Sequence, residues 1–212
     1  MVVDERLHRK LLIVSMLSAL AEGRYPDLKG DANKFVKLIE EYSDWEHATH
    51  LSISQLHMHI IECGQTPPEL TKSFAQKASR LYKDWRQLHN PTAVVGLGDD
   101  PNPADILPSS PTAKEKTLVN EMRHSSLLYI YRCKLVHEFR EPGHGFEFDE
   151  RESTPYYHSR MADFTDQTTT MELVYPTKWF VDLPMPILTR LETYYVSSCT
   201  NPYGSYSFGS PW

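Results

Sequence analysis

Apolar residues recur every three or four positions in several segments of the chain, which is the pattern of helices that bury one face. Gly23 ends the first of these segments, and Pro67 and Pro68 suit the first turn of a later one. The predicted helices cover residues 4–22, 31–42, 67–85 and 186–197. The pattern of residues 51–63 is ambiguous, and a helix is the favoured interpretation. The pattern therefore predicts a mostly α-helical protein.

A further helix is predicted from Leu118 to Val136. Its positions at alternating steps of three and four are Val119, Met122, Ser126, Tyr129, Cys133 and Val136. This spacing indicates one buried face, with Cys133 on the apolar side. Pro142 and Gly143 close the segment.

Two segments interrupt the helical pattern. Residues 90–113 hold many Pro, Gly and Asp residues and predict a long loop between helices. Within residues 141–177, the runs 154–160 and 171–175 alternate like strands and predict a small β-hairpin. The sequence thus predicts one domain over residues 1–197, a bundle with an appended hairpin. Residues 198–212 alternate Ser, Gly, Pro and Tyr and predict a flexible tail.

The composition is that of a soluble globular protein, with 40% hydrophobic and 24% charged residues in a chain of 212. No run approaches the roughly 18 apolar residues that a membrane-spanning helix needs, so we expect a cytoplasmic protein without membrane contact. The net charge of -6 disfavours a protein that coats nucleic acid through a broad basic surface. A small positive cleft remains compatible with this charge.

The cysteines and histidines do not predict a metal site. Three cysteines, widely separated, are typical of free thiols in a reducing compartment. The densest histidine cluster consists of His47, His50, His57 and His59. Imidazoles so close in sequence can share a divalent metal, but their spacing matches no known metal motif. We therefore predict neither a metal nor a cofactor.

Arg132 and His137, separated by four residues near the end of a predicted helix, are the residues that suggest a reaction. A histidine can move a proton near neutral pH, and an arginine can hold a phosphate. Their positions differ by about 140° on a straight helix, so either the last turn is distorted or a second subunit completes the site. In a purely structural interpretation, Arg132 pairs with Glu138 or Glu141.

The run from Tyr131 to Arg140, YRCKLVHEFR, resembles the Arg-x(4-6)-His signature of the HEPN superfamily (higher eukaryotes and prokaryotes nucleotide-binding domains). The resemblance implies a bundle of four to five helices and a homodimer in which the motif helices of two subunits line one cleft. It also implies a metal-independent endoribonuclease of toxin-antitoxin or anti-phage defence systems. RNA, a second copy and an antitoxin or regulatory protein are the expected partners.

The resemblance also assigns roles to residues of the motif. Arg132 is expected to contact the reacting phosphate and His137 to transfer the proton. The residues expected to support the imidazole or touch the substrate are Tyr131, Cys133, Glu138 and Arg140. Active members commonly have a polar residue, often Asn, where this chain has Cys133. A non-catalytic HEPN-like module that binds a nucleotide, RNA or a protein is therefore the alternative, and a helical partner-binding protein with an accidental motif is a third hypothesis.

Overall fold

The computed structural model describes residues 5–62, 70–89, 94–143, 147, 153–161 and 169–205. The chain divides into two compact units. Unit 1 comprises residues 1–46, 128–144 and 177–212, and unit 2 comprises residues 47–127 and 145–176. The single domain over residues 1–197 stays a prediction. Residues 206–212 of the expected tail lie outside the described residues.

The prediction of a mostly helical fold with a small β-hairpin is confirmed. The helices are α1 (Glu5–Arg24), α2 (Asp31–Tyr42), α3 (Ile53–Glu62), α4 (Lys72–Leu88), α5 (Pro103–Ile106), α6 (Ala113–Glu121), α7 (His124–Glu138), α8 (Thr177–Asp182) and α9 (Pro184–Ser198). The strands are β1 (Val94–Gly96), β2 (Tyr156–Met161) and β3 (Thr169–Val174), and short 3-10 helices cover Leu97–Asp99 and Pro202–Ser205. Among the described helices, none is long and apolar enough to cross a membrane.

Unit 1 is a helical assembly around α1. This helix packs against α2, α8 and α9, and the 3-10 helix Pro202–Ser205 also lies against it. The apolar side chains at its centre include Val14, Leu17, Phe35, Leu38, Ile39, Phe180, Ile187 and Leu191. The periodic apolar residues that predicted α1, α2 and α9 from the sequence are therefore the residues that form this core.

Unit 2 combines α3 and α4 with an antiparallel sheet of order β1-β2-β3. Tyr156 pairs with Val174 on one side and with Gly96 on the other. The predicted hairpin corresponds to β2 and β3. The prediction of a loop over residues 90–113 is wrong for residues 94–99 and 103–106, which contribute β1, a 3-10 helix and α5 and bury Val95 and Ile106. A three-residue strand is too short for its periodicity to be recognised in the sequence.

The helix predicted over residues 118–136 is divided into α6 and α7. The helix is interrupted at Met122 and Arg123, because the backbone there forms hydrogen bonds with a distant loop. Ser52 N donates to Met122 O, and His124 N donates to His50 O, each at 3.0 Å. The buried face of α7 also differs from the prediction. Beyond the first turn its buried residues are Leu128, Tyr131 and Leu135, whereas Cys133 is half-buried.

One carboxylate holds the beginnings of two helices in unit 2. Glu115, which is fully buried, accepts hydrogen bonds from Thr71 N at 2.9 Å and Thr71 Oγ1 at 2.7 Å, just before α4. Its other oxygen accepts from Thr112 N at 2.8 Å in the capping box of α6. Burial alone raises the pKa of Glu115, but the bonds from Thr71 and Thr112 outweigh it and lower the pKa.

Candidate functional site around Arg132

Helix α7 positions both residues of the predicted motif. It runs as an α-helix to Glu138, so Arg132 and His137 point about 140° apart, and of the two expected alternatives the distorted last turn does not occur before His137. Arg132 is half-buried, and its side chain reaches α1, whereas His137 is exposed. One chain therefore does not bring the two side chains together.

The guanidinium of Arg132 has two hydrogen bonds to described residues. Its Nε donates to Ser18 Oγ at 3.0 Å, and its Nη1 lies 4.0 Å from Cys133 Sγ. Ser18 in turn donates to Val14 O at 2.8 Å, which fixes the hydroxyl against α1. The guanidinium carbon lies 5.7 Å from the centre of the Tyr129 ring. The guanidinium of Arg132 is thus fixed through Nε and Nη1, and its remaining N–H groups are available to a ligand.

A cavity of about 100 Å³ lies beside this guanidinium. Its lining residues are Ser18, Glu22, Asp31, Lys34, Tyr129 and Arg132. Lys34 Nζ donates to both carboxylate oxygens of Glu22, at 2.7 and 2.6 Å, so these two charges neutralise each other. Arg132 and Asp31 form no ion pair with any described residue. The cavity therefore presents one uncompensated cation and one uncompensated anion.

Tyr129 forms an aromatic wall of this cavity. Its ring centre lies 5.7 Å from that of buried Phe35. Burial first, and then the neighbouring Cys133, raise the pKa of Tyr129, whereas Arg132 lowers it. The Tyr129 hydroxyl is therefore neutral at physiological pH. Cys133 therefore lies beside Tyr129 and is not part of the buried face of α7.

The carboxylates that could have paired with Arg132 are engaged elsewhere. Glu138 pairs with Lys134 and with Arg140, whose Nε lies 2.7 Å from Glu138 Oε2; Lys134 first, and Arg140 in addition, lower the pKa of Glu138. Glu141 accepts a hydrogen bond from Lys10 Nζ at 2.8 Å. The structural interpretation in which Arg132 pairs with Glu138 or Glu141 is therefore not realised.

The other predicted residues divide between surface and core. Tyr131 is buried, accepts a hydrogen bond from Lys10 Nζ at 3.0 Å and stacks on Phe180 with ring centres 5.5 Å apart. It packs in the core of unit 1 and offers no free face to a base. Glu138 and Arg140 bind each other, and His137 has no hydrogen bond or ion pair with the part of the chain that is described.

A buried polar network in unit 2 was not predicted from the sequence. Asp100 Oδ2 accepts hydrogen bonds from His124 Nε2 at 2.8 Å and from the Tyr157 hydroxyl at 2.6 Å. The Tyr157 hydroxyl also lies 2.7 Å from Ser52 Oγ. All four side chains are closed to solvent, so the network stabilises the fold rather than forming an accessible site. No sequence signal links residues so far apart.

Three residues of the histidine cluster contact a neighbouring ring. His47 Nδ1 and His50 Nδ1 lie 3.3 Å apart, and His57 stacks on Tyr82 with ring centres 3.9 Å apart. Burial lowers the pKa of His57. Within residues that the structure describes, no group of three or more His, Cys, Asp or Glu could hold a metal ion. Cys133 and Cys199 are free thiols, and Cys63 lies outside the described residues.

No protein-family model, no curated protein and no solved structure matches the chain. Membership of the HEPN superfamily therefore stays a prediction from residues 131–140.

Proposed function

We propose that this protein is a metal-independent endoribonuclease of HEPN type that acts as a homodimer. The observation that supports the proposal is the state of the two motif side chains on α7. Arg132 lines an open cavity without a carboxylate partner among the described residues, and His137 is exposed and equally unpaired. Both groups are thus available to a phosphate, which a purely structural role does not require.

In the proposed reaction, the ribose 2′-oxygen attacks the adjacent phosphorus and the bond to the 5′-oxygen of the next nucleotide breaks. His137 takes the proton of the 2′-hydroxyl or delivers one to the leaving oxygen. Arg132 stabilises the negative charge that grows on the phosphate oxygens. The products are a 2′,3′-cyclic phosphate and a 5′-hydroxyl, and DNA is spared because it lacks the nucleophile.

The geometry of α7 makes a second copy part of this proposal. Because Arg132 and His137 of one chain diverge, the proposed site takes Arg132 from one subunit and His137 from the other. The outer side of α7 offers a contact surface for the partner, since Ile130, Cys133 and His137 follow at helical spacing and Ile130 is 43% exposed. An exposed apolar residue beside the proposed catalytic histidine suits an interface.

The first experiment incubates purified protein with RNA in excess EDTA and determines the chemistry of the fragment ends. We expect cyclic phosphates from the wild type and no cleavage by His137→Ala or Arg132→Ala. His59→Ala, which changes a half-buried histidine of α3, is the matched control and should cleave like the wild type. Cleavage by His137→Ala at the wild-type rate would remove the proton-transfer assignment.

A mixing experiment tests the shared site. In a heterodimer of Arg132→Ala and His137→Ala subunits, one of the two shared sites keeps both residues. Random mixing should therefore restore about one quarter of the wild-type activity. If each chain builds its own site, the mixture stays inactive.

The alternative is a non-catalytic module that binds a nucleotide or RNA, and Asp31 favours it. A carboxylate in the Arg132 cavity repels a phosphate that enters fully. No cleavage by the wild type, together with retained RNA binding, would support this alternative.

A further inference from the structure

We propose that the cavity beside Arg132 binds the edge of a guanine base. It offers a cation that can donate several hydrogen bonds, a carboxylate that can accept two, and an aromatic ring beside them. Such a set suits a neutral ligand with acceptors on one side and donors on the other. A simple anion is disfavoured, because Asp31 lies in the same cavity as Arg132.

The free hydrogen-bonding groups can be counted from the contacts. A guanidinium has five N–H groups. Within the described residues, Ser18 engages the Nε–H of Arg132 and Cys133 one Nη1–H, which leaves three donors. Asp31 is exposed at the cavity, and its carboxylate accepts no hydrogen bond from a described residue. Lys34 and Glu22 satisfy each other and form a wall of zero net charge.

Guanine matches these groups better than the other bases. Its N1–H and N2–H₂ point the same way and can meet both oxygens of Asp31 in a charge-assisted pair. Its O6 accepts from Arg132, and O6 is one of the two guanine acceptors that arginine commonly contacts in nucleic acids. One or two N–H groups of Arg132 then remain for a phosphate oxygen, so base recognition and the proposed catalytic role are compatible.

The shape of the cavity agrees with partial insertion of a base. A closed cavity of about 150 Å³ holds one benzene ring. The open cavity of about 100 Å³ therefore admits the edge of a base but not a whole nucleotide. Tyr129, backed by Phe35, provides a ring on which a base can stack.

The guanine can come from RNA or from a free nucleotide, and the RNA source rests on the proposed function. Binding is measured by calorimetry with the full-length His137→Ala protein, so that cleavage does not interfere. The probes are the monophosphates of guanosine, inosine, adenosine, cytidine and uridine, and single-stranded RNA with or without one guanine. A failed cleavage assay with intact guanine binding separates the two proposals.

We expect guanosine monophosphate or the guanine-containing RNA to bind at least tenfold more tightly than the other probes. Inosine, which lacks the N2 amino group, should lose about tenfold because one donor to Asp31 is missing. Asp31→Asn should weaken guanine binding by a similar factor, while Asp27→Asn, in the exposed loop before α2, should not.

Binding of the guanine-containing RNA alone assigns the base to RNA, and equal binding of the free nucleotide assigns it to a nucleotide ligand. Either result supports the cavity as a guanine site. Equal affinity for all bases, no binding of any guanine probe, or guanine binding that is unchanged in Asp31→Asn would overturn the proposal. Circular dichroism of Asp31→Asn and Asp27→Asn verifies that both variants are folded.

Discussion

His124 Nε2 and Asp100 Oδ2 lie 2.8 Å apart with both side chains closed to solvent. The same carboxylate accepts hydrogen bonds from the Tyr157 hydroxyl and, at 3.2 Å, from Ile53 N. Asp100 therefore connects the start of α3, the start of α7 and strand β2 within unit 2. A buried carboxylate with three donors is costly to remove, because three buried hydrogen bonds are then lost together.

Replacement of Asp100 should destabilise the protein strongly. We expect Asp100→Ala to lower the free energy of unfolding by about 3 to 5 kcal/mol, as for other broken buried pairs. Urea unfolding followed by circular dichroism measures the change. The neighbouring Asp99→Ala is the control, because the Asp99 carboxylate is 60% exposed and its contact with His89 is at the surface. A loss for Asp100→Ala no larger than that for Asp99→Ala would contradict this role.

The stability of unit 2 should fall at alkaline pH. Burial first, and then the negative charge of Asp100, raise the pKa values of Tyr157 and Tyr175 well above the ordinary value. An unfolded tyrosine ionises near pH 10, so above this pH the unfolded chain binds fewer protons than the folded one. The free energy of unfolding then decreases by about 1.4 kcal/mol per pH unit for each tyrosine. Below about pH 10 this contribution is fully present.

Tyr175→Phe tests the alkaline prediction, because it removes the ionisable hydroxyl, which donates to His124 O at 3.3 Å, and keeps the ring. Between about pH 9 and 11 the free energy of unfolding in urea should fall by roughly 1.4 kcal/mol less for Tyr175→Phe than for the wild type. An unchanged slope would show that Tyr175 ionises in the folded protein as it does in the unfolded chain.

Glu115 should stabilise the starts of α4 and α6 together. Glu115→Ala removes the three hydrogen bonds that Thr71 and Thr112 donate to the carboxylate, so we expect a loss of about 2 to 4 kcal/mol. Glu121→Ala, at the exposed end of α6, is the control and should leave stability nearly unchanged. Equal unfolding midpoints in urea for the two variants would contradict the role of Glu115 at the starts of α4 and α6.

The same carboxylate predicts a loss of stability in acid. Because the folded pKa of Glu115 is lowered, the unfolded chain binds the proton first as the pH falls below about 4.3. The contribution of Glu115 is present above that pH and disappears as the pH falls through the folded pKa. Glu115→Gln should therefore show a weaker dependence of unfolding free energy on pH between about 4.5 and 3 than the wild type.

The ion pair between Lys10 and Glu141 should stabilise the core of unit 1. Lys10 Nζ is fully buried, and Glu141 Oε1 lies 2.8 Å away. Glu141→Ala removes the carboxylate that lies 2.8 Å from this buried ammonium and should cost about 3 to 5 kcal/mol, whereas Lys10→Met with Glu141→Ala should recover part of the loss. Glu5→Ala removes only an exposed pair with Arg9 and is the control. Additive losses in the double variant would contradict the coupling.

Helical periodicity was sufficient to predict α1, α2, α4 and α9 from the sequence. In these segments the apolar residues of the sequence are the residues of the buried face, so their spacing alone is enough to predict the helix. The alternation of β2 and β3 was recognised for the same reason, as was the mostly helical class. The motif residues Arg132 and His137 were also identified from the sequence, together with their divergence of about 140°.

What the sequence alone determined is thus the type and order of most elements and the chemistry available on α7. The tertiary structure decided the break between α6 and α7, the outward position of Cys133, the pairing of β1, the Asp100–His124 contact and the cavity that joins Arg132 to Asp31. Each of these features depends on contacts between segments far apart in the chain. Local periodicity contains no information about such partners, because they are chosen when the core packs.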